Sequence, residues 1–126
     1  MSSHQGGSDA ERRQRGLEAM SKAYGWQVED SPGDFFGITV DHLFADVWTR
    51  PGLSNRDRRL LLIATTLAEG LDDVTGLQLD TALGNQELTA DELREIVIFL
   101  THYVGWPKGA KLNSQVEERI AKQGGS

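Results

Sequence analysis

Cysteine is absent from the 126 residues, which removes disulfides, thiolate metal sites and redox dithiols at once. Long apolar runs are missing as well. The longest, Leu60 to Ala64, is far too short to span a bilayer, so neither a membrane helix nor a membrane partner is expected. The opening Met1-Ser2-Ser3-His4-Gln5-Gly6-Gly7 lacks the apolar stretch of a secretory signal, and a cytoplasmic location is the expectation. Positive charge is in deficit: the net charge of -6 argues against a nucleic-acid partner, which would call for a clustered basic face. The three histidines show no metal-ligand spacing and no H-E-x-x-H pair, so no metal is expected. No G-x-G-x-x-G, P-loop or G-x-S-x-G pattern occurs either, which leaves phosphate-cradling loops and a serine elbow without support.

What is present reads as helix. Hydrophobic residues at 38% and charged residues at 25% are ordinary for a globular chain, and the length suits a single domain. Gly/Ser-rich tails are expected over 1–7 and 124–126, flanking one helical domain over 8–123. Ser8-Asp9-Ala10-Glu11 reads as a capping box, and Gly25 as the stop of the helix it opens. Ser31-Pro32 reads as N-cap and first position of a second helix carrying Phe35, Phe36, Val40, Leu43 and Val47, ended by Arg50-Pro51-Gly52. Ser54 caps a third helix with Asp57 near its positive end, and Gly70 stops it. A fourth helix is expected from Asp72 or Asp73 to about Asn85. Thr89-Ala90-Asp91-Glu92 is a second capping box, opening a helix with Leu93, Ile96, Val97, Leu100 and Val104 in register. After Gly105 and Pro107, the spacing of Leu112, Val116 and Ile120 predicts a final amphipathic helix. The fold class is therefore all-α, a six-helix bundle.

The fourth helix departs from the amphipathic pattern. Val74, Leu77, Leu79, Ala82 and Leu83 point in nearly every direction around its wheel. A helix apolar all round is buried, and so small a domain has little room to bury one alone, so homo-oligomerisation is expected.

Two stretches carry a family resemblance. The run Phe44-Ala45-Asp46-Val47-Trp48-Thr49-Arg50-Pro51-Gly52-Leu53-Ser54-Asn55-Arg56-Asp57-Arg58-Arg59-Leu60 resembles a W-x-R-P-G-L-x-x-R-x-R-x-L segment. The run from Leu88-Thr89-Ala90-Asp91-Glu92-Leu93 to His102-Tyr103-Val104-Gly105-Trp106-Pro107 resembles a T-x-E-E-I-x-E-x…Y-x-G-x-P ending. Both belong to the carboxymuconolactone decarboxylase family, which includes the alkyl-hydroperoxidase D type proteins; with Arg15-Gly16, the resemblance covers about 12–122. It implies an alkyl-hydroperoxidase D-like helical fold that assembles as trimers or hexamers, with pockets where helices of neighbouring subunits meet. It also implies cofactor-free loss of carbon dioxide from γ-carboxymuconolactone. The hydroperoxidase branch of the family, which uses a C-x-x-C pair, is excluded by the missing thiols.

One family feature is missing. The family's fourth helix carries E-L-x-x-H-x-x-x-A-L, which sets a carboxylate and an imidazole four residues apart on one face. Here the stretch is Val74-Thr75-Gly76-Leu77-Gln78-Leu79-Asp80-Thr81-Ala82-Leu83, so the histidine maps to Gln78 or Leu79 and the glutamate to Val74 or Thr75.

Decarboxylation of such a lactone leaves negative charge on a dienolate and then needs a proton at carbon, hence cationic groups for carboxylates and a positioned acid. Asp80, on the otherwise apolar fourth helix, is a candidate acid if desolvated; the alternative is that it faces solvent or an arginine. His102 is the second candidate, lying outside the positions the resemblance marks as catalytic. Arg50, Arg58 and Arg59 are candidates to bind a carboxylate, against a structural role in helix-end and inter-subunit ion pairs. Trp48, Tyr103 and His42 are candidate pocket residues; Tyr103 matches the family tyrosine, for which packing is the plainer role, and for His42 the plainer role is a satisfied surface or core histidine. Two readings follow: a decarboxylase-like enzyme acting on a small organic acid or lactone without a cofactor, or a non-catalytic oligomeric binding or scaffold protein that kept the fold and lost the pair.

Overall fold

The computed structural model describes residues 2–125, with side chains described over 9–124. Among them are six helices and no strand. Helix α1 spans Ser2–Tyr24; α2, Asp34–Ile38, runs directly into a π-helical stretch, Thr39–Val47. Then come α3 (Asn55–Ala68), α4 (Asp72–Gly84), α5 (Ala90–Val104) and α6 (Trp106–Gly125). No helix is long and apolar enough to cross a membrane among the described residues. The expected capping box begins at Ser8 and the expected N-terminal tail covers 1–7, both outside the described side chains; Ser126 of the C-terminal tail also lies outside the described residues.

The helix punctuation acts locally. Ser54 accepts a hydrogen bond from the Asp57 backbone N–H at 3.0 Å, and the Asp57 carboxylate accepts one from Ser54 N–H at 3.4 Å. Thr89 and Glu92 repeat the arrangement at the start of α5, at 3.1 and 2.9 Å. Each box satisfies backbone donors that the first helical turn leaves without partners. Helices α3 and α5 stop where glycine enters the left-handed region, Gly70 at φ 74° and Gly105 at φ 101°, conformations that cost a residue with a Cβ. The expected N-cap at Ser31 is a correction. The second helix begins at Asp34 behind Gly33, whose φ of 109° takes the chain out of helix, and Gly33 supplies no side-chain cap. Ser31 instead donates its N–H to Asp30 Oδ1 at 2.8 Å, a local bond that competes with a cap.

The chain divides into two compact units, Met1–Leu53 and Ser54–Ser126. In the first, α1 packs along the π-helical stretch. Met20, Ala23, Val40 and Phe44 form the buried cluster, with Leu17, Tyr24, Phe36 and Trp48 packed on it. The π register shows in Trp48, whose N–H reaches back five residues to the Leu43 carbonyl at 2.9 Å. Polar rows on the same two elements pair off. Arg13 holds Asp41 with two bonds, 2.8 and 2.9 Å, and Asp30 with a third at 2.7 Å; Arg12 holds Asp46. Hydrogen bonds from these guanidinium groups hold the Asp41 and Asp46 carboxyls below the usual carboxylate range.

In the second unit the buried cluster draws on all four helices, through Ile63, Leu67, Leu79, Ala82, Leu93, Val97, Leu112 and Val116. Leu112, Val116 and Ile120 do face inward from α6, the last only partly buried. Helices α5 and α6 approach closely because position 109 is glycine: a Cβ there would lie 2.0 Å from Thr101 Oγ1.

The reading of α4 as apolar all round needs correcting. Its buried face holds Thr75, Gly76, Gln78, Leu79, Thr81 and Ala82, while Val74 and Leu77 are exposed. The buried polar groups have partners: Thr75 Oγ1 shares a hydrogen bond with Thr66 Oγ1 at 2.8 Å, and Gln78 accepts one from Arg59. Half of this face is therefore polar: Thr75 and Gln78 are satisfied by α3, and Thr81 donates to the Leu77 carbonyl of its own helix at 3.0 Å.

Candidate functional site

The candidate residues fall in both units. His42, Trp48 and Arg50 belong to the first. Trp48 is half-buried and stacks on Phe44 with ring centroids 5.5 Å apart, so it is part of that unit's cluster. His42 is exposed, with Nδ1 3.7 Å from Asp46 Oδ2 one helical turn away. Arg50 is exposed in the turn after the π-helical stretch, its N–H donating to the Val47 carbonyl at 3.2 Å.

Arg58, Asp80, His102 and Tyr103 belong to the second unit. Arg58 is half-buried in the first turn of α3. Asp80 lies on the exposed side of α4, its side chain 57% exposed, and accepts a bond from Arg119 Nε at 2.7 Å. Of the two arrangements open from the sequence, this is a carboxylate facing both solvent and an arginine.

His102 and Tyr103 sit side by side on the outer face of α5 near its C-terminal end. Tyr103 tilts against Phe99 with centroids 5.1 Å apart. His102 borders a hollow of about 300 Å³ between α5 and α6, whose wall also includes Val97, Ile98, Thr101, Trp106 and Asn113. The imidazole meets the Trp106 ring edge-on, with centroids 5.7 Å apart. Its Nδ1 lies 2.7 Å from the Ile98 carbonyl oxygen. A carbonyl only accepts, so Nδ1 carries the hydrogen, and Nε2 is the nitrogen left to exchange a proton. The helix thus fixes both tautomer and ring orientation. Asp80 and Arg58 do not line this hollow. Among the described residues, no group of three or more His, Asp or Glu is placed to hold a metal ion.

Sequence reasoning named Arg59 as a candidate carboxylate-binding or ion-pairing cation but missed its burial inside the unit. Arg59, grouped with its basic neighbours in the sequence, is 1% exposed. Its Nε donates to Glu87 Oε1 at 2.7 Å, and Nη1 donates to Gln78 Oε1. The Glu87 side chain is 8% exposed. A signal was present: Arg59 precedes Ile63 by four residues and Thr66 by seven, so helical spacing puts it on the face those residues bury. Gln78, one of the two positions onto which the family histidine maps, is thereby committed to an arginine inside the unit.

The family model described as the carboxymuconolactone decarboxylase family matches residues 33–118. A 4-carboxymuconolactone decarboxylase of Acinetobacter baylyi (strain ATCC 33305 / BD413 / ADP1) is 30% identical over 119 residues, covering 88% of this chain and 88% of that protein. No solved structure matches the chain.

Proposed function

This chain belongs to the carboxymuconolactone decarboxylase family, and from that premise we propose that it catalyses cofactor-free decarboxylation, or closely related proton-transfer chemistry, on a small carboxylated lactone or organic acid. The observation that carries the reading is the similarity to a 4-carboxymuconolactone decarboxylase over most of both chains. In the reaction, the bond from the ring carbon to the carboxylate carbon breaks and carbon dioxide leaves. The electron pair passes into the lactone carbonyl system as a dienolate, and a proton added at carbon gives the enol-lactone. The protein then has two tasks: to hold carboxylates and developing negative charge, and to deliver one proton.

For the proton we favour His102. It borders a concave, largely apolar space, its Nδ1–H is fixed by the Ile98 carbonyl, and Nε2 can carry the transferred proton. Asp80 is the second candidate, and it accepts a hydrogen bond from Arg119. Arg58 and Tyr103 of the second unit are proposed as a carboxylate-binding cation and a lining residue there; in the first unit, Arg50 is proposed as a carboxylate-binding cation and Trp48 and His42 as lining residues. The active species in this reading is a homo-oligomer, a trimer or hexamer, and its substrate is a small molecule. The roles are tested by steady-state turnover of His102→Gln and Asp80→Asn. Loss of an acid from a proton-transfer step costs about 10²-fold or more in kcat, and intact turnover in both variants would refute the assignment.

One observation favours a second reading. The positions of the family's fourth-helix pair hold Val74 or Thr75 and Gln78 or Leu79, and Gln78 is occupied by Arg59. A non-catalytic binding or scaffold protein that kept the fold is consistent with that replacement. Such a protein would take up an aromatic acid, or dock a partner, without turnover.

A further inference from the structure

Asp46 follows Asp41 by five positions, yet both carboxylates are held from α1, Asp41 by Arg13 through two bonds and Asp46 by Arg12. An α-helix turns about 100° per residue, so it would set residues five apart about 140° from each other and aim one carboxylate away from α1. In a helix with i→i+5 bonding the fifth residue returns to nearly the same side, and both carboxylates can face the arginines together. The apolar contacts make no such choice. Val40 and Phe44, which the segment contributes to the buried cluster, are four apart and share a side in either register. The polar row discriminates between registers, and the apolar seam does not.

Contacts at the two ends of the segment bear on the same point. At its start α1 lies against the backbone: a Cβ on Gly16 would fall 2.2 Å from the Val40 carbonyl oxygen, and Val40 is fully buried. Near its end the Ala45 carbonyl accepts from Arg15 Nε at 3.3 Å and from Thr49 Oγ1 at 2.6 Å. A third arginine of α1 therefore holds a carbonyl of the kind that a helix terminus leaves without a partner. Asp46 has a second neighbour on its own helix, since His42 lies four positions back, the spacing at which side chains meet in an α-helix. Asp46 thus has a partner in either register. The pairs with Arg12 and Arg13 are partly exposed, so each stabilises modestly and the choice of register rests on the row as a whole. A π-helix is ordinarily a single-turn bulge, and nine residues of it call for such an external hold.

We propose that Thr39–Val47 is a two-state element whose π register is selected by the α1 row of Arg12, Arg13 and Arg15, and that loss of the row returns it to the α register. With the start fixed at Gly16, the change emerges at the far end, in the turn that carries Trp48 and Arg50. The arginines act on that turn through the helix and touch no reacting group. The element lies wholly within the first unit, and its behaviour does not depend on the decarboxylase reading.

The Trp48 backbone N–H reports the register directly. It donates to the Leu43 carbonyl, five residues back, and in the α register it would donate to Phe44, four back. Scalar coupling across this bond, measured by NMR on the isotope-labelled full chain, should join the Trp48 nitrogen to the Leu43 carbonyl carbon in wild type. In the double variant Arg12→Gln/Arg13→Gln the coupling should pass to Phe44 while the far-UV circular dichroism stays helical. Arg94→Gln, which breaks an exposed arginine pair of the second unit with Glu117, should leave it on Leu43. A wild-type coupling to Phe44, or a folded double variant still coupled to Leu43, would overturn the proposal. So would loss of the coupling with none gained at Phe44, because the segment would then have unravelled instead of changing register. Should the double variant fail to fold, Asp46→Ala removes only the second carboxylate and decides by the same coupling, Phe44 in support and Leu43 against. Turnover plays no part in these readouts, so a moved coupling in an inactive protein would leave the element standing and count against the decarboxylase reading alone.

Discussion

Replacing Glu87 by glutamine removes one charge from the buried contact with Arg59 and keeps its shape. Arg59 is 1% exposed and the Glu87 side chain 8%, so neither charge can turn to water when its partner goes. Taking one partner from a buried ion pair costs roughly 3–5 kcal/mol, chiefly because the other charge is left uncompensated. Gln78 keeps one bond to the guanidinium in the variant, which puts Glu87→Gln at the lower end, about 3 kcal/mol. For a chain of this length that is a fall of roughly 10 °C in Tm. Arg59→Met should cost a similar amount by stranding the carboxylate. The double variant removes both charges and should recover much of the loss, since a buried pair replaced by neutral groups of similar volume is often near neutral. Urea unfolding followed by far-UV circular dichroism gives the four corners of the cycle. If Glu87→Gln cost under about 1 kcal/mol, or if the two single effects simply summed, the pair would not be the buried, coupled contact described here.

Three further outcomes are expected. Gly109→Ala should destabilise by about 1–3 kcal/mol although alanine is the better helix former, because its Cβ would lie 2.0 Å from Thr101 Oγ1; thermal unfolding checks the sign, and a stabilised variant would mean that α5 and α6 are further apart. Ser54→Ala should cost about 1 kcal/mol in the same assay through the lost cap on α3, with an unchanged Tm as the contrary result. The Glu92 carboxyl is held below its ordinary value, first by the Thr89 backbone N–H and then by Arg56. A depressed folded pKa contributes stability above the unfolded value, near 4.5, and loses it as pH falls through the lower folded value. Glu92→Gln should therefore flatten the acid limb of the stability–pH curve below about pH 5, and a curve identical to wild type would contradict the assigned bonds.

How much of this was legible in the sequence depended on range. The boxes Ser54/Asp57 and Thr89/Glu92 and the stops at Gly25, Gly70 and Gly105 involve groups a few residues apart, and they stand where local rules put them. Ser31-Pro32 satisfied the same rule but lost to the bond that Ser31 N–H donates to Asp30 and to the positive φ of Gly33, which the rule does not weigh. The π register over Thr39–Val47 has no counterpart in apolar spacing, because Val40 and Phe44 remain four apart in either register. On α4 the apolar wheel misled: Gln78 and Thr75 go inward because α3 offers Arg59 and Thr66 as partners. That pairing joins residues distant in sequence, and periodicity on one helix cannot reveal it. At the candidate site, the residue types were visible but their surroundings were not. Asp80 meets Arg119 from α6, and His102 gains its orientation from a carbonyl one turn back and its hollow from the close packing at Gly109.

The measurement bearing most directly on function is carbon dioxide release from γ-carboxymuconolactone by the purified full chain, with enol-lactone formation followed in parallel. The account predicts release above the uncatalysed rate, equimolar with enol-lactone, and a loss of about 10²-fold or more in His102→Gln. No release from wild-type protein verified as folded and assembled would contradict decarboxylation of this substrate and favour the non-catalytic reading.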